Sequence, residues 1–182
     1  MRHRDDDPPS AGVADSASAA VTSEDEADGI MSFADTVRID ADRHQLWAAL
    51  TDPETLAACV PGAESVERVS EREYACEITR SISRLTVSLQ GEAELVEVHP
   101  PDYVVTRGSA FDSKTGSDLE VLAAMELHEA DEGTVALSYS AEVELTGGAG
   151  SVGTRLLRPV VRRDVEAYFE NVRAVVTDRD ES

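Results

Sequence analysis

The 182-residue sequence contains one lysine, one asparagine and one tryptophan, and it has no hydrophobic run long enough to cross a membrane. A spanning helix needs about 20 predominantly apolar residues, and a secretory leader needs an apolar segment that the first residues lack. We therefore predict a cytoplasmic protein. Basic residues are also scarce, because 16 Lys and Arg face 37 Asp and Glu, for a net charge of −21. Such a balance excludes a nucleic-acid-binding surface, which must be basic.

Residue types that carry out catalysis or bind metals are few and scattered. The two cysteines, Cys59 and Cys76, predict buried thiols rather than a disulfide, because an intracellular setting is reducing. No pair of histidines has the spacing of metal ligands; they stand at positions 3, 44, 99 and 128. The sequence thus predicts no catalytic residue, no metal site and no cofactor.

The acidic surplus extends over the whole chain, and its basic partners are almost all arginine. This pattern favours a salt-loaded cytoplasm, because molar salt shortens the electrostatic screening length to about 3 Å and dense carboxylates then chiefly maintain hydration. An ordinary acidic bacterial protein is the alternative. Residues 1–28 hold almost no large apolar side chain, so we predict a disordered acidic tail there. Residues 29–178 form the single predicted domain.

Residues 46–62 contain two helix boundaries and a turn. Asp42 and Gln45 form a capping pattern for a first short helix. Asp52 ends that helix and caps a second, because Pro53 suits the first helical position. Gly62 permits the turn into the next strand.

Strand-like alternation of apolar and polar residues dominates the middle of the chain. It occupies residues 74–78, 85–93, 119–127 and 135–145, with short turns at 99–102, 113–116 and 131–133. The pattern predicts an antiparallel meander in which each strand has one dry and one wet face. An apolar sheet face must be covered, and the one long amphipathic segment is at residues 152–176.

This C-terminal helix carries apolar residues at spacings of three and four. Pro159 either kinks it near Arg158 or is the first residue of its main part. The preceding glycines at positions 147, 148, 150 and 153 favour a flexible hinge, since no lysine follows that would make them a phosphate loop.

Residues 46–62 resemble the signature of the CoxG family of carbon monoxide dehydrogenase subunits, which belongs to the helix-grip (SRPBCC) superfamily with START, Bet v 1-like and polyketide cyclase proteins. Further similar stretches lie at 33–39, 74–89, 91–101, 133–134, 147–153 and 168–169. The resemblance covers roughly residues 31–176. It implies an α+β helix-grip fold, in which a curved antiparallel sheet of about seven strands wraps around the long C-terminal helix, with two short helices after the first strand.

The resemblance also implies a non-enzymatic accessory protein. Its expected partner is a molybdenum hydroxylase of the carbon monoxide dehydrogenase type, and its expected ligand is an apolar molecule, a quinone or lipid, between sheet and helix. Small residues on the dry face, such as Ala93, Ala123 and Ala141, leave room for a cavity. The alternative function is that of a polyketide cyclase or aromatase on the same scaffold, and a third interpretation is an interaction module whose core is filled.

The expected cavity lining consists of large apolar and aromatic residues, two of which offer a polar tip for a head group. The candidates are Val87, Leu89, Phe111, Met125, Tyr139, Leu157, Val161, Tyr168 and Phe169. The alternative for each of them is an ordinary core position. Arg80, Arg107 and Asp35 are in phase with the inward residues of their strands, where an arginine needs a carboxylate or an anionic ligand, unless a strand bulge turns them outward.

Arg155, Arg158, Arg162 and Arg163 form the basic cluster of the sequence. Three interpretations fit it: pairing with nearby acids, contact with an acidic partner protein, or peripheral contact with the inner face of the membrane, which attracts basic residues with about 1 kcal/mol each.

Overall fold

The structure is a computed structural model that describes residues 29–82 and 84–180. The acidic tail predicted for residues 1–28 lies outside the described residues. Seven strands and four helices form the described part. In chain order they are β1 (Ile30–Asp40), α1 (Arg43–Thr51), α2 (Pro53–Cys59), β2 (Ala63–Arg68), β3 (Glu73–Ile82), β4 (Leu85–His99), β5 (Tyr103–Asp112), β6 (Ser117–Asp131), β7 (Thr134–Thr146), α3 (Gly147–Gly150) and α4 (Thr154–Asp180).

The strands form one antiparallel sheet in the order β1-β7-β6-β5-β4-β3-β2. Strands β2 to β7 are a meander, and β1 pairs with β7 at one edge. The concave face of the sheet receives α4, and α1 and α2 close one end of it. The predicted helix-grip architecture is therefore confirmed. The one-turn helix α3 is an addition that the sequence patterns did not predict.

The two short helices begin at the predicted caps. The Asp42 carboxylate accepts hydrogen bonds from the backbone amides of His44, at 2.9 Å, and Gln45, at 3.3 Å. Asp52 accepts from the amide and hydroxyl of Thr55, at 3.0 and 2.7 Å, with Pro53 as the first residue of α2. These bonds satisfy helix-terminal amides that would otherwise lack a partner. The predicted helix boundaries are thus explained by two aspartates.

The core consists of two clusters at opposite ends of the concave face. One cluster joins α1, α2 and the C-terminal half of α4 to the sheet; Leu46, Leu137 and Val172 are among its fully buried members. The other joins α3 and the start of α4 to the opposite end; Met31 and Leu157 are buried there. The middle of the face belongs to neither cluster, and this gap positions the candidate site.

Helix α4 runs through Pro159, which lies inside it. The interpretation of Pro159 as the first residue of the main helix is therefore wrong. A proline has no amide hydrogen for the carbonyl four residues earlier, which is that of Arg155. Arg155 is near the start of α4 and exposed to solvent, and water can satisfy such a carbonyl.

Candidate functional site on the concave face

The centre of the concave face is a floor of small residues. Ala141 pairs with Ala123, and Ala123 pairs with Thr106 on the next strand. One row further on, Gly108 pairs with Ala93. All five are half-buried although they are on the inward side of their strands. Because short side chains do not reach the helix, this central floor leaves space between the sheet and α4.

Helix α4 covers the floor unevenly. Its closest approach is to β1 and α2, and its contacts with β3, β4 and β5 are fewer. Val161 and Val165, on the side of α4 that packs on the sheet, are half-buried rather than buried. The apolar surface of the helix and the small-residue floor therefore bound a central groove between the two core clusters.

Three aromatic rings stand at the end of this groove nearest to α1 and α2. Tyr139 stacks on Phe169 with 4.5 Å between ring centroids, and Phe169 meets Tyr168 edge to face at 5.0 Å. Tyr139 packs against both core clusters. Burial raises the pKa of the Tyr139 hydroxyl, and the nearby Asp35 and Glu166 raise it further, while Arg162 lowers it. Burial also raises the pKa of Tyr168, so both phenols are neutral at physiological pH.

Eight of the nine predicted lining residues are on the concave side of the molecule. Val87, Leu89, Leu157 and Phe169 are buried in the two clusters. The others border the groove and are half-buried; these are Met125, Tyr139, Val161 and Tyr168.

The prediction for Phe111 is wrong. Ala110 and Asp112 are buried, and successive side chains of a strand point to opposite faces. Phe111 therefore points to the convex side, where it is 48% exposed. Aromatic character alone suggested it as a lining residue, whereas the strand period places it outside.

Arg80 faces inward as predicted, but its partner is on the helix. Its guanidinium forms a two-pronged ion pair with Asp164 of α4, with Nε to Oδ2 at 3.0 Å. Both side chains are about one-third exposed or less. Burial raises the pKa of Asp164, and the charge of Arg80 opposes that rise. The pair spans the groove and joins β3 to α4.

Arg107 does not face the groove. It points to the convex side, where it lines a shallow cleft of about 260 Å³ with Leu122 and the carboxylates of Glu120, Glu142 and Glu144. The alternation of β5 again explains the result, because Gly108 and Thr106 take the inward positions beside it. The expectation that Arg107 faces the cavity is therefore wrong.

Asp35 lies at an opening in the wall of the groove. A cleft of about 110 Å³ between β1 and α4 is lined by Asp35, Tyr139, Arg162 and Glu166, together with Ser32, Phe33, Ala34 and Val165. Asp35 pairs in register with Tyr139 and is exposed. This side window brings one cation, two carboxylates and one phenol next to the aromatic group of the groove.

The glycines before α4 are close-packed. A Cβ atom on Gly147 would lie 1.7 Å from the Gly116 carbonyl oxygen, and one on Gly148 would lie 2.1 Å from that of Thr115. The Ser117 hydroxyl accepts the Ala149 amide at 2.8 Å, which fixes α3 on the turn before β6. Gly153, with φ +95° and no neighbour within 4 Å of a Cβ, is the remaining place where the predicted hinge could be.

Asp112 organises the same turn. It is 3% exposed and accepts the amides of Ser88, at 3.0 Å, and Lys114, at 2.9 Å, and the Thr115 hydroxyl, at 3.0 Å. The bond from Ser88 is the largest cause that lowers its pKa. The sequence analysis missed Asp112, although an Asp two residues before Lys-Thr-Gly is a recognisable turn signal.

The arginine cluster of α4 divides between two environments. Arg155, Arg162 and Arg163 are exposed, whereas Arg158 is half-buried. Arg158 lies over the Phe33 ring at 5.3 Å from its centroid and donates to the Ser32 carbonyl at 3.4 Å. Cluster members other than Arg158 thus remain available at the surface.

Two further properties of the described residues bear on the choice of function. Across residues 29–82 and 84–180, His, Cys, Asp and Glu side chains do not gather in threes as a metal site would require. No helix in this part of the chain has the length and apolar character that a membrane crossing needs.

Solved structures with the same fold come from several kinds of protein. A conserved protein from Geobacillus kaustophilus matches with a TM-score of 0.75 and 17% identity, over 81% of this chain and 96% of that one. The Zhui aromatase/cyclase from Streptomyces sp. R1128 matches with a TM-score of 0.64 and 16% identity, over 82% and 95% of the two chains. Ara h 8.0201 matches with a TM-score of 0.57 and 14% identity, over 82% and 99%. At these identities the matches establish the fold alone.

Sequence comparison gives a more specific result. No curated protein matches this chain at a significant level. The model of the CoxG family of carbon monoxide dehydrogenase subunits matches residues 36–177, a range that includes both core clusters, the floor and α4.

Proposed function

The chain belongs to the CoxG family of carbon monoxide dehydrogenase subunits, and on that premise we propose that it is a non-enzymatic accessory protein that binds an apolar molecule in the central groove. A quinone or another isoprenoid lipid suits this groove best. The floor and the valines of α4 offer an apolar path for a chain, and the aromatic group offers a place for a flat ring.

The observation that carries the proposal is the burial pattern of the concave face. Inward side chains are buried in the clusters at both ends, yet Ala123, Ala141 and Gly108 in the middle remain partly accessible. A filled core would bury the middle of the sheet most deeply. The third interpretation, a purely structural core, is therefore the weakest of the three.

The energetics favour such a ligand. Each buried methylene contributes about 0.8 kcal/mol, so one five-carbon isoprenoid unit contributes about 4 kcal/mol. Two or more units would offset the entropy that association costs, which is about 4–15 kcal/mol. No charged group in the groove needs to contribute, because Arg80 is already paired with Asp164.

A partner enzyme follows from the family rather than from the geometry. The family takes its name from carbon monoxide dehydrogenase, of which its members are described as subunits. We therefore propose a molybdenum hydroxylase of this type as the protein partner, to which the chain would supply or couple a quinone. Co-purification of tagged full-length chain with molybdenum hydroxylase subunits from its native cells would support this assignment, and its absence under mild extraction would contradict it.

The second candidate is an aromatase or cyclase, because such enzymes share the fold. One specific feature favours it: the side window holds Asp35, Tyr139 and Arg162 together. A general acid and base must reach one reacting atom, yet Asp35 is exposed and the Tyr139 pKa is raised. A proton donor with a raised pKa can orient a carbonyl oxygen but does not readily give up its proton. The binding function is therefore the better supported.

The proposal is tested by native mass spectrometry with ubiquinone and menaquinone analogues of one to three isoprenoid units. Ala123 and Ala124 are adjacent, and they point to the concave and convex faces respectively. We expect wild type to bind with affinity rising with isoprenoid length, Ala123→Phe to lose at least tenfold, and Ala124→Phe to bind as wild type. Absence of binding in wild type, or equal losses in both variants, would contradict the proposal.

A further inference from the structure

One end of the molecule is built from three stretches of sequence without an acidic residue. Residues 78–91, 113–117 and 145–163 lack Asp and Glu entirely, in a chain with 37 acids among 182 residues. They correspond to the β3–β4 hairpin, the β5–β6 turn, and α3 with the start of α4. In an antiparallel sheet these turns are at the same end, and α3 packs directly on the β5–β6 turn.

This acid-free end carries exposed basic side chains. Arg84 is on the hairpin, Lys114, which is the only lysine of the chain, is on the turn, and Arg155 is on the first turn of α4. Arg162 and Arg163 follow on the exposed side of the same helix. The nearby Asp112 is buried and takes part in the hydrogen bonds of the turn, and Asp118 is the exposed acid that borders this region.

The opposite end has the contrary character. Its turns contain Glu71, Asp102, Asp131 and Glu132, all exposed. Basic residues there are partly neutralised, because Arg38 pairs with Asp131, and Arg43 donates to Asp102 at 2.6 Å. The chain is therefore strongly polarised along its length despite its net charge of −21.

An apolar side chain is exposed among the cations. Leu156 is 63% exposed and follows Arg155 directly, with half-buried Val152 in the preceding turn of chain. Beneath it, Leu157 is buried against the end of the sheet that also holds Val87 and Leu89. A leucine flanked by arginines matches the interface of a bilayer, where apolar groups insert and cations meet lipid phosphates.

We propose that this acid-free end docks onto anionic phospholipid membranes. Charge complementarity decides the occupant, because the rest of the surface is repelled by anionic lipid and only this end is attracted. The contact surface is small and built from separate turns with one exposed leucine. A stable protein interface needs about 800 Å² of complementary surface per partner, whereas a deformable bilayer needs no matched shape. The inference extends the proposed function, since a carrier of an isoprenoid molecule must meet the bilayer that dissolves it.

The test is co-sedimentation of the full chain with vesicles that contain no quinone, so that its outcome is independent of ligand binding. Phosphatidylcholine vesicles are compared with vesicles containing about one-third phosphatidylglycerol at about 0.1 M NaCl, where the screening length is about 10 Å. We expect binding to the anionic vesicles alone, falling steeply with added salt.

The variants locate the surface. Each basic residue near an anionic membrane changes affinity about fivefold, so Arg84→Glu with Arg155→Glu should weaken binding at least ~25-fold. The Leu156→Ser substitution should weaken it several-fold at unchanged charge. The matched control is Arg72→Glu, an exposed arginine in the turn at the opposite end, which should bind like wild type.

Three outcomes would overturn the proposal. They are failure of the wild type to bind anionic vesicles, equal binding to neutral vesicles, and an equal loss in the Arg72→Glu control. Binding to soluble polyglutamate without binding to vesicles would also overturn it, in favour of an acidic protein partner. Ligand binding in the mass spectrometric experiment would remain intact in each of these cases, which separates the two proposals.

Discussion

Arg80 and Asp164 form the ion pair that joins β3 to α4 across the central groove. The packing of Gly62 positions this arginine, because a Cβ atom at Gly62 would lie 2.5 Å from Arg80 Cδ and 2.3 Å from the Thr79 carbonyl oxygen. The Pro61-Gly62 turn that marks the family in the sequence therefore also supports one wall of the groove.

Removal of Asp164 should destabilise the fold through Arg80. In Asp164→Leu the guanidinium loses its partner while two-thirds of its side chain remains covered, at an expected cost of about 1 kcal/mol after allowance for solvent screening. The double variant Arg80→Met/Asp164→Leu should recover most of this loss, because apolar replacement of a partly buried pair is commonly neutral. Urea denaturation of the four proteins measures the coupling, and an additive double variant would contradict it.

Asp112 predicts a specific loss of stability in acid. Its pKa is lower in the folded protein than the ordinary value of 3.8, so its contribution is fully present above the unfolded pKa and is lost as pH falls through the folded one. Asp112→Asn should therefore lower the free energy of unfolding at pH 7 and lower it less at pH 3. The exposed Asp118, changed to Asn, is the control, and its denaturation curves should follow those of wild type at both pH values.

Two glycines of the concave face should respond oppositely to alanine. A Cβ atom at Gly91 would lie 2.0 Å from the Ser109 carbonyl oxygen, whereas at Gly108 the nearest atom is 3.7 Å away. Gly91→Ala must displace a neighbouring strand and should cost at least ~2 kcal/mol. The Gly108→Ala variant should be neutral or more stable by about 0.5 kcal/mol, because alanine restricts the unfolded chain. Thermal unfolding compares them; equal effects would show that strand contact at Gly91 is unimportant.

Tyr139 should be more important for stability than other tyrosines of similar exposure. It packs against both core clusters and on Phe169, so truncation to alanine should cost about 2–3 kcal/mol. Tyr103, half-buried at the start of β5, is the matched comparison and should cost less than half as much. Guanidinium denaturation provides the values. Similar losses in both variants would contradict the bridging role of Tyr139.

Local signals in the sequence predicted much of the fold. Aspartates and prolines fixed the ends of α1 and α2, because capping depends on residues within one turn. The alternation of residues 135–145 gave β7 and its inward face, since the period of a strand is set by its own backbone. The position of α4 followed from the need to cover the apolar face.

The site was less predictable because it depends on pairings between distant residues. Arg80 and Asp164 are separated by 84 positions, and nothing near either residue indicates the other. The alternation rule would have placed Phe111 outside had it been applied to residues 104–112, so that error was avoidable. The close packing of Gly147 and Gly148 resembles flexibility in a sequence, because glycine serves both purposes.

The hydrogen bonds between α4 and β1 have a consequence for solubility. Strand β1 is an edge of the sheet, and two arginines of α4 donate to its outward carbonyls: Arg158 to Ser32 at 3.4 Å and Arg173 to Arg38 at 2.9 Å. An uncovered edge strand invites pairing with another copy of the chain. By occupying these acceptors the helix protects the protein against edge-to-edge aggregation, even under conditions in which salt screens the mutual repulsion of its carboxylates.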